Sequence, residues 1–141
     1  MAKTFPSEEW FEQLKQNLNS NPQWQEEAED WGVGWNGDFI FEIVPEPGDG
    51  LDETVWFYIG MKAGECNDVH RVKDLEAEDQ GYIQTGKYKH WKEMVQGRLD
   101  PMEGLVGGQF EVDGTMSTLM QYEDAAGLFM EECTRIDTEF V

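Results

Sequence analysis

Residues 86–114 read GKYKHWKEMVQGRLDPMEGLVGGQFEVDG, and they hold two helix signals and a strand, each closed by turn chemistry. From Lys87, Tyr88, Trp91, Met94 and Val95 recur at helical spacing, and Gly97 supplies a C-terminal stop. Asp100 then reads as an N-cap, Pro101 as the first helical residue, and Glu103 completes a capping-box-like pair with Asp100. The second helix is short, with Met102, Leu105 and Val106 as its apolar side and Gly107-Gly108 as its end. Phe110 and Val112 alternate with Glu111 and Asp113 as a half-buried strand, closed by Gly114. No nucleophile, metal cluster or phosphate cradle lies within the stretch.

Working outward, 141 residues make one domain spanning 1–141, long enough to bury a sizeable core. Ser7 is the expected N-cap of a first helix, with Glu8 and Glu9 in its first turn and Trp10, Phe11, Leu14 and Leu18 as its stripe. Trp24, Ala28 and Trp31 predict a second helix ending at Gly32. Val33 and Trp35 read as a strand leading into Asn36-Gly37, a type I′ hairpin signal, with Phe39, Phe41 and Ile43 continuing beyond it. Residues 54–59 are apolar on both faces and read as a central strand. Further strands are expected around Val69–Val72 and from Tyr82. A final helix runs from Met116 to Arg135, with Gly127 allowing a kink. The sum is an α+β domain: a mainly antiparallel sheet of about five strands with helices on one face.

The charge is lopsided, with 30 acidic residues against 10 basic and a net charge of −20. The acids are spread through every element among abundant aromatics, unlike an acidic disordered tail. The pattern argues against nucleic-acid binding and fits a folded protein adapted to high salt, where the Debye length falls to about 3 Å. No apolar run approaches the length of a transmembrane helix, and the first ten residues lack a signal-peptide pattern. With only Cys66 and Cys133, no disulfide framework or zinc site is expected, and a reducing cytoplasm is the simplest setting.

Catalysis finds little support. Cys66, Asp68 and His70 would share one strand face by alternation, but no oxyanion turn accompanies them. His90 reads as a surface or capping histidine. Carboxylate groups such as Glu76, Glu78 and Asp79 are what so acidic a chain produces by chance, so no metal and no cofactor is expected. Instead, Met94, Met102, Met116, Met120 and Met130 concentrate around the late helices, and methionine adapts to irregular or variable contents.

Trp91, Gly97, Asp100-Pro101, the pair Gly107-Gly108 and the strand Phe110-Glu111-Val112 ending at Gly114 resemble the signature of the sterol carrier protein type-2 (lipid-transfer) family. In that family an aromatic residue opens a helix ending in glycine, Asp-Pro starts the next, and a Gly-Lys-aliphatic strand follows. Gln109 and Phe110 stand here for the usual lysine and aliphatic residue. The resemblance implies a sheet and late helices enclosing a lipid tunnel, and so a non-enzymatic carrier of a lipid or other long acyl or isoprenoid molecule, with transient membrane contact. By position, the expected lining is Phe39, Phe41, Trp56, Tyr58, Trp91, Met94, Leu99, Met102, Leu105, Met116, Leu119 and Met120. Alternation along 55–59 does not choose between its faces. Two other readings stand beside the carrier: an interaction module for an enzyme of lipid or quinone metabolism, and an acidic decoy of basic partners.

Overall fold

The computed structural model describes residues 1–141. In chain order it contains β1 (Lys3–Phe5), α1 (Glu8–Asn19), α2 (Pro22–Glu27), β2 (Phe39–Val44), β3 (Val55–Lys62), β4 (Glu65–Val72), β5 (Tyr82–Lys87), α3 (Tyr88–Val95), α4 (Pro101–Gly107), β6 (Phe110–Asp113), α5 (Met116–Leu119), α6 (Glu123–Thr134) and β7 (Thr138–Phe140). Five strands form a mixed, mostly antiparallel sheet in the order β4-β3-β2-β5-β6, with β2 and β5 its parallel pair. The expected α+β class is therefore observed. A two-stranded parallel sheet of β1 and β7, which the apolar pattern does not announce, ties the two ends of the chain together.

Helices cover one face of the sheet. Phe39, Phe41, Ile43, Phe57, Ile59, Tyr82 and Phe110 face them in the main core, joined by Trp10, Phe11, Leu14 and Leu18 of α1. The other face carries a small cluster of Ile40, Tyr58 and Val72, flanked by Trp56, Leu75 and Ile83. The α1 cap is as expected: the Ser7 hydroxyl accepts from the Trp10 N–H at 3.2 Å.

The stretch at 86–114 folds as its turn chemistry dictates. Helix α3 ends in Gln96, and Gly97, at φ +77°, takes the left-handed position after it. Asp100 caps α4 by accepting from the Met102 and Glu103 N–H groups at 2.9 and 3.3 Å, with the Glu103 side chain outside that cap. Gly86 and Gly104 bracket the Phe110 ring so closely that a Cβ on either would lie 2.5 Å from it. Phe110, 1% exposed, thus fills the space two side chains would otherwise claim.

Three sequence expectations are corrected. Residues 33–35 form a turn and bend and 36–37 an irregular link, not a strand and hairpin. The reason is Trp31: its indole N–H donates to the Gly37 carbonyl at 2.7 Å, and its ring lies where a Gly37 side chain would be. This holds the loop out of the sheet and leaves Val33 51% exposed. The last helix is also broken, not at Gly127 but across Met120–Tyr122, a 3-10 turn that brings the Tyr122 ring 4.9 Å from Trp31. Finally, Val106 lies on the solvent side of α4 at 81% exposure.

Candidate ligand cavity

Between the sheet and the helices lies a groove with almost no polar lining. Trp24, Ala28 and Trp31 wall it on one side, Phe39, Phe41, Met61 and Gln84 form its sheet floor, and Met94, Met102, Leu105, Leu119, Tyr122 and Phe129 close it from α3 to α6. Pro101, Ala125 and Ala126 complete the wall, and no charged side chain contributes. The cavity volume is about 80 Å³. As it stands the interior is narrow, and a long chain would have to push its walls apart.

Local geometry explains each contribution. On β2 and β5, alternation turns Phe39, Phe41, Tyr82 and Gln84 toward the helices, and the Phe39 and Tyr82 rings stack at 5.0 Å. The indole of Trp31 lies 5.4 Å from Tyr82 and 6.0 Å from Phe39, which closes the end near α2. Alanines at 28, 125 and 126 leave room that larger residues would fill.

Of the twelve residues expected to line such a space, Phe39, Phe41, Met94, Met102, Leu105 and Leu119 do so. Trp56 and Tyr58 lie on the opposite face of the sheet, because the register that points Phe57 and Ile59 at α1 turns their neighbours away. Trp91 and Leu99 are buried behind the groove: the Trp91 ring sits 4.7 Å from Phe41 and 4.8 Å from Phe110, and its N–H donates to the Gly86 carbonyl at 3.1 Å. Met116 and Met120 project to solvent at 38% and 43% exposure, since four residues apart they share the outer side of this turn while Leu119 points inward. Sequence reasoning missed Trp24, Trp31, Met61, Gln84, Tyr122 and Phe129 as lining. Trp31 and Phe129 were legible as core; nothing in the pattern gave Gln84.

The Cys66, Asp68 and His70 trio does not assemble. The β3–β4 register shifts between Gly60 and Met61, with Met61 opposite Cys66 and Gly60 opposite Asp68. Asn67 is thereby extra, and the bulge puts Cys66 in the main core while Asp68 and His70 stay on the far face. Burial pushes the Cys66 thiol up to about 12, which leaves almost no thiolate at neutral pH. Cys133, wholly buried, is shifted in the same direction by burial and by the neighbouring Glu132. On the far face, His70 stacks on Tyr58 at 4.9 Å between Asp68 (3.0 Å) and Glu78 (2.9 Å). Burial opposes its charge, but the hydrogen bond to Glu78 and the two carboxylates prevail and raise its pKa. The Tyr58 hydroxyl donates to Asp38, and burial with that carboxylate raises its pKa strongly. His90 pairs with Glu93 at 2.9 Å on the surface of α3, as a surface histidine would.

Solved structures share this fold. Over 92% of this chain and 97% of the other, it superimposes on sterol carrier protein 2 with a TM-score of 0.79 at 22% identity. The fold is that of sterol carrier protein 2. A conserved hypothetical protein of Thermus thermophilus, suggested to be a sterol carrier protein, matches over 94% and 90% of the two chains (TM-score 0.80, 22% identity). The sterol carrier protein domain 2 of Helicoverpa armigera matches over 99% of both chains at a TM-score of 0.60 and 15% identity. No protein-family model and no curated protein sequence matches the chain. The sterol carrier protein 2 fold is thus established from shape, with the groove between its sheet and late helices.

Proposed function

We propose that the chain binds and transfers a lipid or another long apolar molecule in the groove, with no chemical step. The observation that carries this reading is the lining: sixteen residues, fourteen of them hydrophobic, without a charged side chain. The sterol carrier protein 2 fold supports it. Magnitudes are adequate. Burying a methylene contributes about 0.8 kcal/mol, so a chain of about 16 carbons gains about 12 kcal/mol gross. Association costs about 4–15 kcal/mol, so useful affinity requires that pushing the groove walls apart cost only a few kcal/mol more. Exchange would proceed by displacement of α4, a seven-residue helix between Gly97 and Gly108, both at positive φ. The Leu105 and Met102 side chains travel with it and open the wall.

The carboxylate-rich surface fits work at high salt in a cytoplasm, where screening lets an acidic carrier touch an anionic leaflet. Neither buried thiol is engaged in a disulfide, in keeping with a reducing compartment.

The test is purification without detergent in molar salt, followed by native mass spectrometry and solvent extraction. Reproducible co-purified lipid supports the carrier. Because Trp24 and Trp31 line the groove, added acyl or isoprenoid ligand should also quench tryptophan fluorescence. An empty protein that shows no quenching overturns the reading, and a stoichiometric protein partner recovered in its place would favour an interaction module.

A further inference from the structure

Among the groups lining the groove, Gln84 is chemically out of place. It lies on β5 opposite Phe41 of β2 and Val112 of β6, and only 6% of it is exposed. Its side-chain Nε2 is fully buried and has no hydrogen-bond partner. Four other polar tips packed on this side of the sheet are satisfied. Trp31 donates to Gly37 at 2.7 Å, Tyr82 to the Thr115 carbonyl at 3.3 Å, Tyr88 to the Phe5 carbonyl at 3.1 Å and Trp91 to the Gly86 carbonyl at 3.1 Å. A buried amide without a partner is unfavourable, and such groups are rare unless something else completes them. Gln84 borders the groove, so the completing atom can come from its occupant.

The lining also limits what that atom can be. With no cation in the wall, an ionised carboxylate or phosphate drawn to this depth would be buried unpaired, at a cost the carboxamide alone does not offset. An uncharged oxygen meets no such penalty. A carbonyl accepts from the amide N–H, and a hydroxyl can accept from it or donate to the amide oxygen. We propose that Gln84 is the polar anchor of the groove, holding the hydroxyl or carbonyl oxygen of an uncharged, otherwise apolar ligand. This rests on the groove being a ligand site and adds to it the ligand's chemical class and orientation: neutral oxygen at the sheet, hydrocarbon against α4 and α6.

The experiment compares decane, 1-decanol, 2-decanone and decanoate as probes on the wild-type chain and on Gln84→Leu, by displacement of a fluorescent fatty-acyl reporter. In the wild type, decanol and decanone should bind about 3–10-fold tighter than decane, the range of a single neutral hydrogen bond. Gln84→Leu should abolish that preference, read as the ratio of decanol and decanone to decane affinity within each protein, while decanoate keeps its carboxylate at the mouth. A variant that retains the preference, or a wild type that has none while decane and decanoate bind, overturns the anchor and leaves the groove reading intact. If no probe binds either protein, the groove reading itself falls, and the anchor with it. A second readout avoids the variant: the Gln84 side-chain NH₂ resonances should shift on adding decanone but not decane, and equal behaviour with both counts against the anchor.

Discussion

One face of one sheet carries two differently built ends. At the end under α1, apolar surfaces close completely: Phe11 and Leu14 are fully buried, Phe11 stacks on Phe57 at 4.4 Å, and Phe5 meets Trp10 edge-on at 4.7 Å. At the end under α2, α4, α5 and α6, residues of the same kind line an open groove. Hydrophobicity does not separate the two. What differs is the cover. α1 is a 12-residue helix that lays four buried side chains on the strands, whereas the groove is roofed partly by helices of four to eight residues and partly by α6, with alanine at 125 and 126. A long amphipathic helix fits a sheet side chain by side chain; short segments joined by turns leave gaps between their contacts.

Leucine truncation should expose that contrast most strongly. Leu14→Ala, in the closed end, should cost about 4 kcal/mol, toward the upper part of the range for buried leucine. Leu119→Ala borders space that is already empty and should cost about 2 kcal/mol, since less contact is lost. Equal costs in urea denaturation would mean the groove closes in solution. Filling the open end is a gentler probe. Ala125→Leu points a larger side chain into the groove and should stay within about 1 kcal/mol of the wild type, below the usual overpacking penalty, while reducing uptake of an apolar fluorescent probe. Unchanged uptake would place the ligand elsewhere.

The smallest effect belongs to a site outside both ends. His70 has a raised pKa on the far face, so the charged form favours the folded state. Its contribution is complete below its ordinary value near 6.5 and fades as the pH rises through the elevated one. As a half-exposed pair it should amount to about 0–1 kcal/mol. His70→Gln should therefore lower stability slightly near pH 6, leave it unchanged near pH 9, and not alter probe binding. A binding defect in that variant would mean that the far face communicates with the groove.

Much of this architecture is written in local patterns. Ser7, Asp100 and Gly97 announce their helix ends because caps and left-handed turns depend on a few adjacent residues. Trp10, Phe11, Leu14 and Leu18 declare the face of α1 for the same reason. Reading failed where a distant partner decided. Asn36-Gly37 has hairpin chemistry, but the Trp31 indole claims the Gly37 carbonyl. Alternation places Cys66 with His70, but the bulge opposite Gly60 parts them. The far-face placement of Trp56 and Tyr58 followed from the pairing register with β2 and β4.

By itself, then, the sequence determined the boundaries of α1, α3 and α4 at caps and glycines, though not the end of α2, which stops at Glu27 short of Gly32. It also determined the α+β class and the apolar character of what would be enclosed, since each follows from short-range periodicity and backbone preference. Only the tertiary structure decided which apolar residues touch empty space, because a void belongs to no single segment. It arises where Trp24 and Trp31, the β2–β5 floor and the α4–α6 roof approach without meeting. That same convergence left Gln84 at the border of the groove with its buried Nε2 without a partner, a position no stretch of sequence could reveal.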